Sequence, residues 1–579
     1  MSNRRGVSME DAQREVVAFL RDPSSYPPGA GPIEVIETHA SRVFLAGDYA
    51  YKLKRAVKYP YLDFSTVERR LAACTAELKL NRRTAPPLYL EVRAINRGPD
   101  GVLGWRRHVR DEPGEVLDFV VVMKRFGQEG LFDKLARQGA LSAPLLYRLT
   151  AHIAGFHAKA EKRPKAGGAA VMAELVKTNI GCLRDSRDAG FDAAQIGRIE
   201  QGFAAELARV GALLDERRTA GKVRLCHGDL HLRNICLVDG RPLLFDCVEF
   251  SEDLASIDVL YDLAFLLMDL GQCGHAGFAN LVFNRYLDLT EQDDGIAAMP
   301  LFLAMRAVIR AHVTATVAAH GWSGDGPEAA RADARRYLDE AEAALLTEPP
   351  RLVAIGGLSG SGKSTLAARL APGLGRRPGA RVLRSDVLRK VRFATEPETP
   401  LPPEAYVPEV NALVYRDLCE RAVTALRAGY SAVIDAVALH EAERQAFAAV
   451  GGCRRAVHRA VALRAGRGDV GASRLPDRRR VRRIGRGAAA AARPRPGRPR
   501  LDPHRRQRRP RRDDGGGAPN LRALSQRLPA FGRHAGWKPA VPSQGTAGLT
   551  GAPASCRHGG RRPAIFRRVT SDFVLSYAQ

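Results

Sequence analysis

The sequence predicts a multidomain chain with three parts: an α+β domain, an α/β domain with a parallel, doubly wound sheet, and a tail without a packed core. Three observations predict this division. Apolar residues recur at strand and helix spacing from about Ile33 to Leu346, strands and helices alternate from Arg351 to about Val450, and no apolar period remains after Gly451. We therefore place the domains at residues 1–348, 349–450 and 451–579.

The first domain begins with strand patterns and continues with helix patterns. "RVFLAGD" and "YAYKLKR" predict two strands joined through Gly47-Asp48, and "LDFVVVMKRF" predicts another. "DFSTVERRLAACTAELKLNRR" predicts a helix with Ser65 and Glu68 as a capping box. "LLYRLTAHIAGFHAKAE" and "IDVLYDLAFLLMDL" predict helices with broad apolar faces. Pro349-Pro350 forms a natural boundary.

The second domain alternates strands and helices. "RLVAIGG", "ARVLRS" and "SAVIDA" predict strands near 351–356, 381–385 and 431–435. "GKSTLAARLA" and "LVYRDLCERAVTALRAG" predict the helices between them. This alternation is typical of a parallel sheet with helices on its faces.

The tail carries most of the charge of the chain. Residues 451–579 hold 30 Arg, one Lys and six Asp, which is +25 of the net +27. Such a composition cannot bury enough apolar surface to offset the entropy of ordering, so we expect disorder. Two interpretations stay open: an RNA-binding arm, or out-of-frame translation of a GC-rich gene. The second is favoured because 22 Arg and no Lys lie in 451–512 and the change falls in mid-domain.

The remaining composition indicates a cytosolic protein without a membrane segment. The first 450 residues carry a net charge of only +2, so we expect no nucleic-acid partner beyond non-specific contact with the tail. The nine cysteines contain no C-x-x-C pair, which favours reduced thiols. The first residues have no apolar signal-peptide region, and no uncharged apolar run approaches the ~20 residues that a spanning helix needs.

One stretch, "CHGDLHLRNICLVDGRPLLFDCVEF", carries residues suited to phosphoryl transfer. In that reaction the protein orients a hydroxyl, holds magnesium on the phosphates and neutralises charge. Asp229 can accept the hydroxyl proton, and Asn234 and Asp246 can bind the metal. A hairpin through Asp239-Gly240 would bring Asp246 back beside Asn234.

These residues, "HGDLHLRN" followed by "FDCVEF", resemble the aminoglycoside phosphotransferase branch of the protein-kinase-like fold. The resemblance covers 33–346 and implies a two-lobed kinase domain. It implies that Lys52 in "AYKLKR" contacts phosphate and that Glu77 is the partner of that lysine. Lys54, on the same strand face, stays an alternative to Lys52. "DCV" in place of D-F-G counts against a protein kinase.

Two histidines of this stretch lie four residues apart. His227 and His231 would suit a metal site, but no third ligand is indicated nearby. We therefore interpret both as residues that position the backbone of the catalytic loop.

A second stretch, "GLSGSGKST", matches the P-loop pattern G-x-x-x-x-G-K-[ST] between a strand and a helix. Backbone N–H groups and the helix N-terminus would hold phosphate oxygens. Lys363 would reach the outer phosphates, and Ser364 would bind Mg²⁺. The predicted nucleotide-binding residues of this loop are Gly357, Gly360, Gly362, Lys363, Ser364 and Thr365.

Farther on, "RSDVLRK" resembles the D-x-x-R motif of small P-loop kinases such as polynucleotide, gluconate and chloramphenicol kinases. The resemblance implies that Asp386 accepts the proton of an acceptor hydroxyl and that Arg389 binds the anionic part of the acceptor. Asp435 in "VIDA" resembles the strand-end acid that assists the metal. For Asp386 and Asp435, a helix N-cap is the alternative interpretation.

The whole arrangement resembles bacterial proteins that fuse an aminoglycoside phosphotransferase-like domain to a P-loop kinase-like ATPase domain. We expect an ATP- and Mg²⁺-dependent phosphotransferase acting on a hydroxyl of a small molecule. Two alternatives stay open: a nucleotide-sensing ATPase switch, and an RNA-binding protein that uses the Arg tail. Further strands and a lid should follow Val450, where the pattern ends. We therefore expect an incomplete P-loop domain, with at most one strand after 431–435, and chemistry in the first domain only.

Overall fold

The structure is a computed structural model that describes residues 13–38, 40–59, 62–106, 114–319, 326–395, 399–452 and 457–462. All of these described residues lie in one compact unit. The predicted tail lies outside the described residues from 463 onward, and so do the disorder, RNA-binding and frameshift interpretations made for it.

The amino-terminal lobe is an antiparallel six-stranded sheet with one long helix against it. The elements are α1 (Arg14–Arg21), β1 (Glu34–Glu37), β2 (Ser41–Ala46), β3 (Tyr49–Lys54), β4 (Lys58–Tyr59), β5 (Leu62–Asp63), α2 (Val67–Asn81), β6 (Tyr89–Arg97), β7 (Leu103–Arg106) and β8 (Glu115–Lys124). The strand order is β1-β2-β3-β8-β6-β7, so β3 lies inside the sheet. The predicted β2–β3 hairpin is confirmed by its register, in which Ala46 faces Tyr49.

The predicted capping box of α2 is wrong by one residue. Thr66 is the N-cap, and its side chain accepts a hydrogen bond from the Arg69 amide. Ser65 instead donates its hydroxyl to Asp63 Oδ1 at 2.5 Å. The competing carboxylate before the helix therefore moves the cap from Ser65 to the next hydroxyl residue.

The carboxyl-terminal lobe is helical and carries short strand pairs. Its elements are α3 (Phe132–Arg137), α4 (Ala143–Lys159), α5 (Ala169–Asp185), α6 (Ala193–Thr219), β9 (Val223–Leu225), β10 (Ile235–Val238), β11 (Arg241–Leu244), α7 (Glu252–Ala255), β12 (Ser256–Asp258), α8 (Val259–Gln272), α9 (Ala276–Thr290), α10 (Met299–Ala319) and α11 (Pro327–Leu345). The hairpin predicted through Asp239-Gly240 is confirmed, because β10 and β11 pair antiparallel. Ile235 lies opposite Leu244 at one end of the pair, and Val238 lies opposite Arg241 at the turn.

A long apolar helix lies at the centre of this lobe. Within the described part of the chain, the stretch Asp293–Ala319 is long and apolar enough to cross a bilayer. However, 94% of its 18-residue apolar segment is buried inside the protein. Helix α10 packs against α8, α5 and α11. It is therefore placed as a core helix of the lobe.

After the two lobes, the chain forms a parallel sheet with helices on its faces. The elements are β13 (Arg351–Gly356), α12 (Lys363–Leu370), β14 (Arg381–Arg384), α13 (Ser385–Arg392), α14 (Pro408–Arg427), β15 (Ala432–Asp435), α15 (Glu441–Gly452) and β16 (Val457–Ala462). The strand order is β14-β15-β13-β16, and each pairing is parallel. In the described part of the chain the sheet thus has one strand after β15, as predicted. The residues where a lid was expected lie beyond that part.

The carboxyl-terminal lobe and the parallel sheet share a buried polar seam. Arg381, the first residue of β14, has a fully buried side chain. Its guanidinium contacts Asp288 and Asp293, each at 2.7 Å. Asn284 of α9 accepts a hydrogen bond from the amide of Val382 at 2.7 Å. The edge strand β14 is therefore fixed to α9 and to the 3₁₀ turn that follows it.

Candidate functional site

The first site lies between the two lobes, where β3 faces the segment after β11. Lys52 Nζ contacts Asp246 Oδ1 at 2.7 Å and Glu77 Oε1 at 3.0 Å. Lys52 and Asp246 line a cavity of about 180 Å³ between the lobes, together with Tyr89 and Phe245. The structure thus brings together Lys52, Glu77 and Asp246, which are far apart in sequence.

The structure distinguishes the two lysines that the sequence left as alternatives. Lys54 contacts Glu77 Oε2 at 2.5 Å and also pairs with Glu249, but it is not among the residues that line the cavity. Burial alone would lower the pKa of Lys52, but Asp246 and Glu77 raise it above its ordinary value. Lys52 is therefore a charged group at the cavity wall.

Glu77 is the shared partner of both lysines. Its carboxylate is completely buried, which alone would raise its pKa, but Lys52 and Lys54 bring that pKa below its ordinary value. The carboxylate is consequently ionised at neutral pH and holds both ammonium groups.

The catalytic-loop candidate Asp229 has one engaged and one unpartnered oxygen. Its Oδ2 accepts a hydrogen bond from Asn234 Nδ2 at 2.8 Å and lies 3.3 Å from His231 Nε2. Its Oδ1 is buried, and no described residue donates a hydrogen bond to it. Burial would raise the pKa of Asp229, but the contact with His231 brings the pKa below its ordinary value. The carboxylate is therefore ionised, and one of its oxygens has no hydrogen-bond donor among the described residues.

The two predicted metal ligands of this site lie on either side of the hairpin. The amide of Phe245 donates a hydrogen bond to the carbonyl of Asn234 at 3.0 Å. Asp246 is the residue after Phe245, so this bond fixes the backbone of both candidate ligands. Asp246 has a φ of 59°, a conformation that is strained for a residue with a side chain. Amide and carboxylate oxygens are the ligands that magnesium prefers, so these two residues fit Mg²⁺.

Two aspartates of α8, for which the sequence predicted only a helix with a broad apolar face, bind the backbone of the loop around Asp229. Asp262 accepts hydrogen bonds from the amides of His227 at 3.1 Å and Gly228 at 2.9 Å. Asp269 accepts one from the amide of Leu232 at 3.0 Å. Asp262 and Asp269 lie seven residues apart, which is about two helical turns. This spacing is the sequence pattern that could have placed both on one face of α8. Gly228 has a φ of 85°, and a Cβ there would lie 3.0 Å from Val248, so the loop requires glycine.

The interpretation of the two histidines holds for one of them. His227 lies 3.0 Å from the carbonyl of Phe245 and receives the Asp229 amide on Nδ1 at 3.3 Å, so it positions backbone. For His231 the interpretation is wrong, because its ring contacts the Asp229 carboxylate. A buried carboxylate attracts the nearby imidazole more strongly than a neutral carbonyl does.

The second site lies where β13 meets α12. Gly360 and Gly362 have φ values of 76° and 86°, which allow the tight loop before the helix. Lys363 Nζ donates to the carbonyl of Leu358 at 2.7 Å. Ser364 Oγ donates to Asp435 Oδ2 at 2.6 Å, so these two oxygen ligands lie together and fit Mg²⁺. The other predicted residues of the loop, Gly357 at φ 148° and Thr365 in the first turn of α12, flank this centre.

A cleft of about 680 Å³ opens beside the P-loop, and Asp386 and Arg389 line it with Lys363 and Asp435. The N-cap alternative is wrong for both acids. Arg384 is the N-cap of α13, and Asp435 ends β15 six residues before α15 begins. Asp386 is half-exposed and lies 3.4 Å from Lys390.

Arg389 is placed in this cleft but is already bonded to the protein. Its guanidinium donates to Asn411 Oδ1 at 2.6 Å and to the carbonyl of Ala405, and it lies over the ring of Tyr406. Burial lowers its pKa. Arg384 also lines the cleft, and its guanidinium lies 3.5 Å from Asp435 Oδ2.

Comparison with known proteins assigns each half. The model of the Phosphotransferase enzyme family matches residues 66–300, and the model of the AAA domain matches residues 352–487. Uncharacterized proteins of Mycobacterium tuberculosis and Mycobacterium bovis are 31% identical over 411 residues, which is 70% of this chain and 78% of theirs.

Solved structures similar to this chain include three kinases. A choline/ethanolamine kinase family protein from Mesorhizobium loti has 16% identity and a TM-score of 0.35, covering 58% of this chain and 99% of its own. An ethanolamine kinase of Plasmodium vivax has 10% identity and a TM-score of 0.34, covering 59% and 95%. An ADP-bound aminoglycoside phosphotransferase has 14% identity and a TM-score of 0.31, covering 55% and 96%.

The fold and the family matches define a fusion of a kinase-like phosphotransferase domain with a P-loop kinase-like domain, which confirms the predicted resemblance. The chain belongs to the same family as the mycobacterial proteins. The matches support a phosphotransferase activity.

Proposed function

We propose that the first site transfers the γ-phosphoryl group of ATP to a hydroxyl of a small molecule in the cytosol. The observation that carries this proposal is Asp229 Oδ1, to which no described residue donates, on the loop that the β10–β11 hairpin connects to Asp246 of the Lys52–Glu77–Asp246 set. A general base needs a free oxygen within reach of the hydroxyl proton.

Each residue has one role in this reaction. Asp229 Oδ1 accepts the hydroxyl proton while the hydroxyl oxygen forms its bond to the γ-phosphorus. The bond from that phosphorus to the bridging oxygen breaks, and ADP leaves. Lys52 neutralises phosphate charge, and Glu77 holds Lys52 in place. Asn234 and Asp246 would hold magnesium, which would neutralise the phosphates when bound.

We assign the second site to nucleotide binding. Lys363 and the loop residues Gly357, Gly360, Gly362 and Thr365 would hold the phosphates, and Ser364 with Asp435 would hold magnesium. The contact between Ser364 and Asp435 supports this assignment. For chemistry at this site, Asp386 would be the base and Arg389 the acceptor-binding residue.

A second candidate function, a nucleotide-sensing switch, is favoured by one observation at the P-loop cleft. The guanidinium of Arg389 is already bonded to Asn411 and Ala405. These bonds use two of the five N–H donors of the guanidinium and fix it against the protein, so an acceptor could use only the remaining donors. A P-loop site that binds ATP and transfers nothing is consistent with that arrangement.

The experiment is a screen of hydroxylated metabolites and aminoglycosides with ATP and Mg²⁺, followed by Asp229→Ala. We expect one acceptor class to be phosphorylated, and the variant to bind ATP normally but to lose turnover by roughly 10²–10⁴-fold. ATP binding is measured by calorimetry. Slow ATP hydrolysis with no acceptor phosphorylated would instead support the switch.

A further inference from the structure

The Lys–Glu pair of the first site is part of a larger buried ion network. We use inter-lobe ion network for Asp246, Lys52, Glu77, Lys54 and Glu249, which contact one another in that order. The two lysines are alternate residues of the inner strand β3, so they point to the same side of the sheet. Asp246 and Glu249 belong to the other lobe. The network therefore joins the lobes through two separate ion pairs.

The two ends of the network differ in their access to the cavity. Exposed side-chain fractions are 15% for Asp246 and 8% for Lys52 at one end, 10% for Glu249 at the other end, and 2% for Lys54 and 0% for Glu77 between them. The cavity is lined by Lys52 and Asp246, and its lining does not include Lys54 or Glu249. A nucleotide entering the cavity thus meets one end of the network only.

The nucleotide-facing end must change its contacts when it is used. The Lys52–Asp246 contact of 2.7 Å joins the residue proposed for phosphate with a residue proposed for magnesium. Turning each toward its ligand separates them. Lys54 then remains as the cation between Glu77 and Glu249, and a buried carboxylate without a partner is strongly unfavourable.

We propose that Lys54 is a positioning residue that holds Glu77 and thereby lets Lys52 engage phosphate, and that Glu249 balances the charge of Lys54. The inference rests on the proposed function of the first site. Without Lys54, Glu77 has Lys52 as its only cation in the network. Glu77 then competes with the phosphates for Lys52, so ATP binds more weakly.

The test compares two variants that differ only at residue 54: Glu249→Gln and Lys54→Met/Glu249→Gln. The double variant removes both partners of the inner ion pair, so it leaves no unpaired Glu249 carboxylate. The dissociation constant of a non-hydrolysable ATP analogue with Mg²⁺ is measured on the full chain carrying Lys363→Ala. We expect the double variant to bind at least about tenfold more weakly than Glu249→Gln.

Thermal unfolding and two further variants separate the possible outcomes. Lys58→Met removes an exposed lysine of the same lobe, and it should change neither the dissociation constant of the ATP analogue nor the unfolding temperature. Equal affinities for Glu249→Gln and the double variant, with both folded, would show that Lys54 is only structural. Lys52→Met should weaken binding by itself. If it does not, the phosphate role of Lys52 in the proposed function fails, independently of the comparison at residue 54.

Discussion

Asp262 controls the backbone of the catalytic loop while touching neither of the proposed metal ligands. It accepts hydrogen bonds from the amides of His227 and Gly228, and its Oδ2 lies 3.0 Å from His157 Nε2. Burial would raise its pKa, but the contact with His157 lowers it to about 2. The ionised carboxylate thus stabilises the fold and fixes the residue before Asp229.

The pH dependence of stability should reveal Asp262. Its folded pKa of about 2 lies below the reference value of 3.8, so its stabilisation is present above about pH 4 and is lost as pH falls toward 2. The shift corresponds to about 2 kcal/mol. Urea unfolding of the wild type and of Asp262→Asn should give a stability difference that shrinks across this range. A difference that is independent of pH would contradict the assignment.

The sequence could predict the residues of the first site but not the residues behind them. Asp229 contacts Asn234, and Asn234 and Asp246 flank one short hairpin that has its own Asp-Gly pattern. Asp262 acts through the packing of α8 behind the loop, and His231 acts through a side-chain contact. Both depend on tertiary placement, which local spacing does not contain.

At the scale of elements, the edge strand β14 depends on a buried arginine. Arg381 contacts Asp288, Asp293 and Asn284 across the seam. Burial raises the pKa of Asp288 despite the contact with Arg381, which shows how much this carboxylate depends on a cation. The same strand ends at Arg384 in the P-loop cleft. The seam therefore supports one wall of the second site.

Removing this arginine should destabilise the chain severely. Arg381→Met leaves two buried carboxylates without their main partner, and such a loss typically costs about 3–5 kcal/mol. Denaturant unfolding gives the value. Arg351→Met, at the exposed first residue of β13, is the matched control and should stay within about 0.5 kcal/mol. A cost below about 1 kcal/mol for Arg381→Met would mean that water or a rearranged side chain replaces the guanidinium.

Element types were more predictable than element ends or partners. The strands near 351–356, 381–385 and 431–435 follow apolar runs bounded by Gly and charged residues, and the structure has them at β13, β14 and β15. The cap of α2 was misplaced because Asp63 binds the hydroxyl of Ser65. Nothing in the pattern of "ARVLRS" indicates that Arg381 lies against α9, because that contact joins residues about a hundred positions apart.

At the scale of the whole molecule, the chain holds two separate sets of residues that we propose for phosphate binding. One set joins β3, α2 and the segment after β11, and the other joins the P-loop, β14 and β15. We therefore expect the wild type to bind two ATP molecules per chain with Mg²⁺. Lys363→Ala should bind one, because Lys363 belongs to the second set only. Equilibrium dialysis measures the stoichiometry, and a wild-type value of one would contradict two independent sites.

The measurement that tests the central claim most directly is transfer of labelled γ-phosphate to the acceptor by Asp229→Ala and Lys363→Ala, side by side. Phosphoryl transfer at the first site predicts that Asp229→Ala loses roughly 10²–10⁴-fold in turnover, while Lys363→Ala keeps most of it. If Lys363→Ala eliminates transfer and Asp229→Ala leaves it unchanged, the P-loop half is the catalytic domain and the account is contradicted.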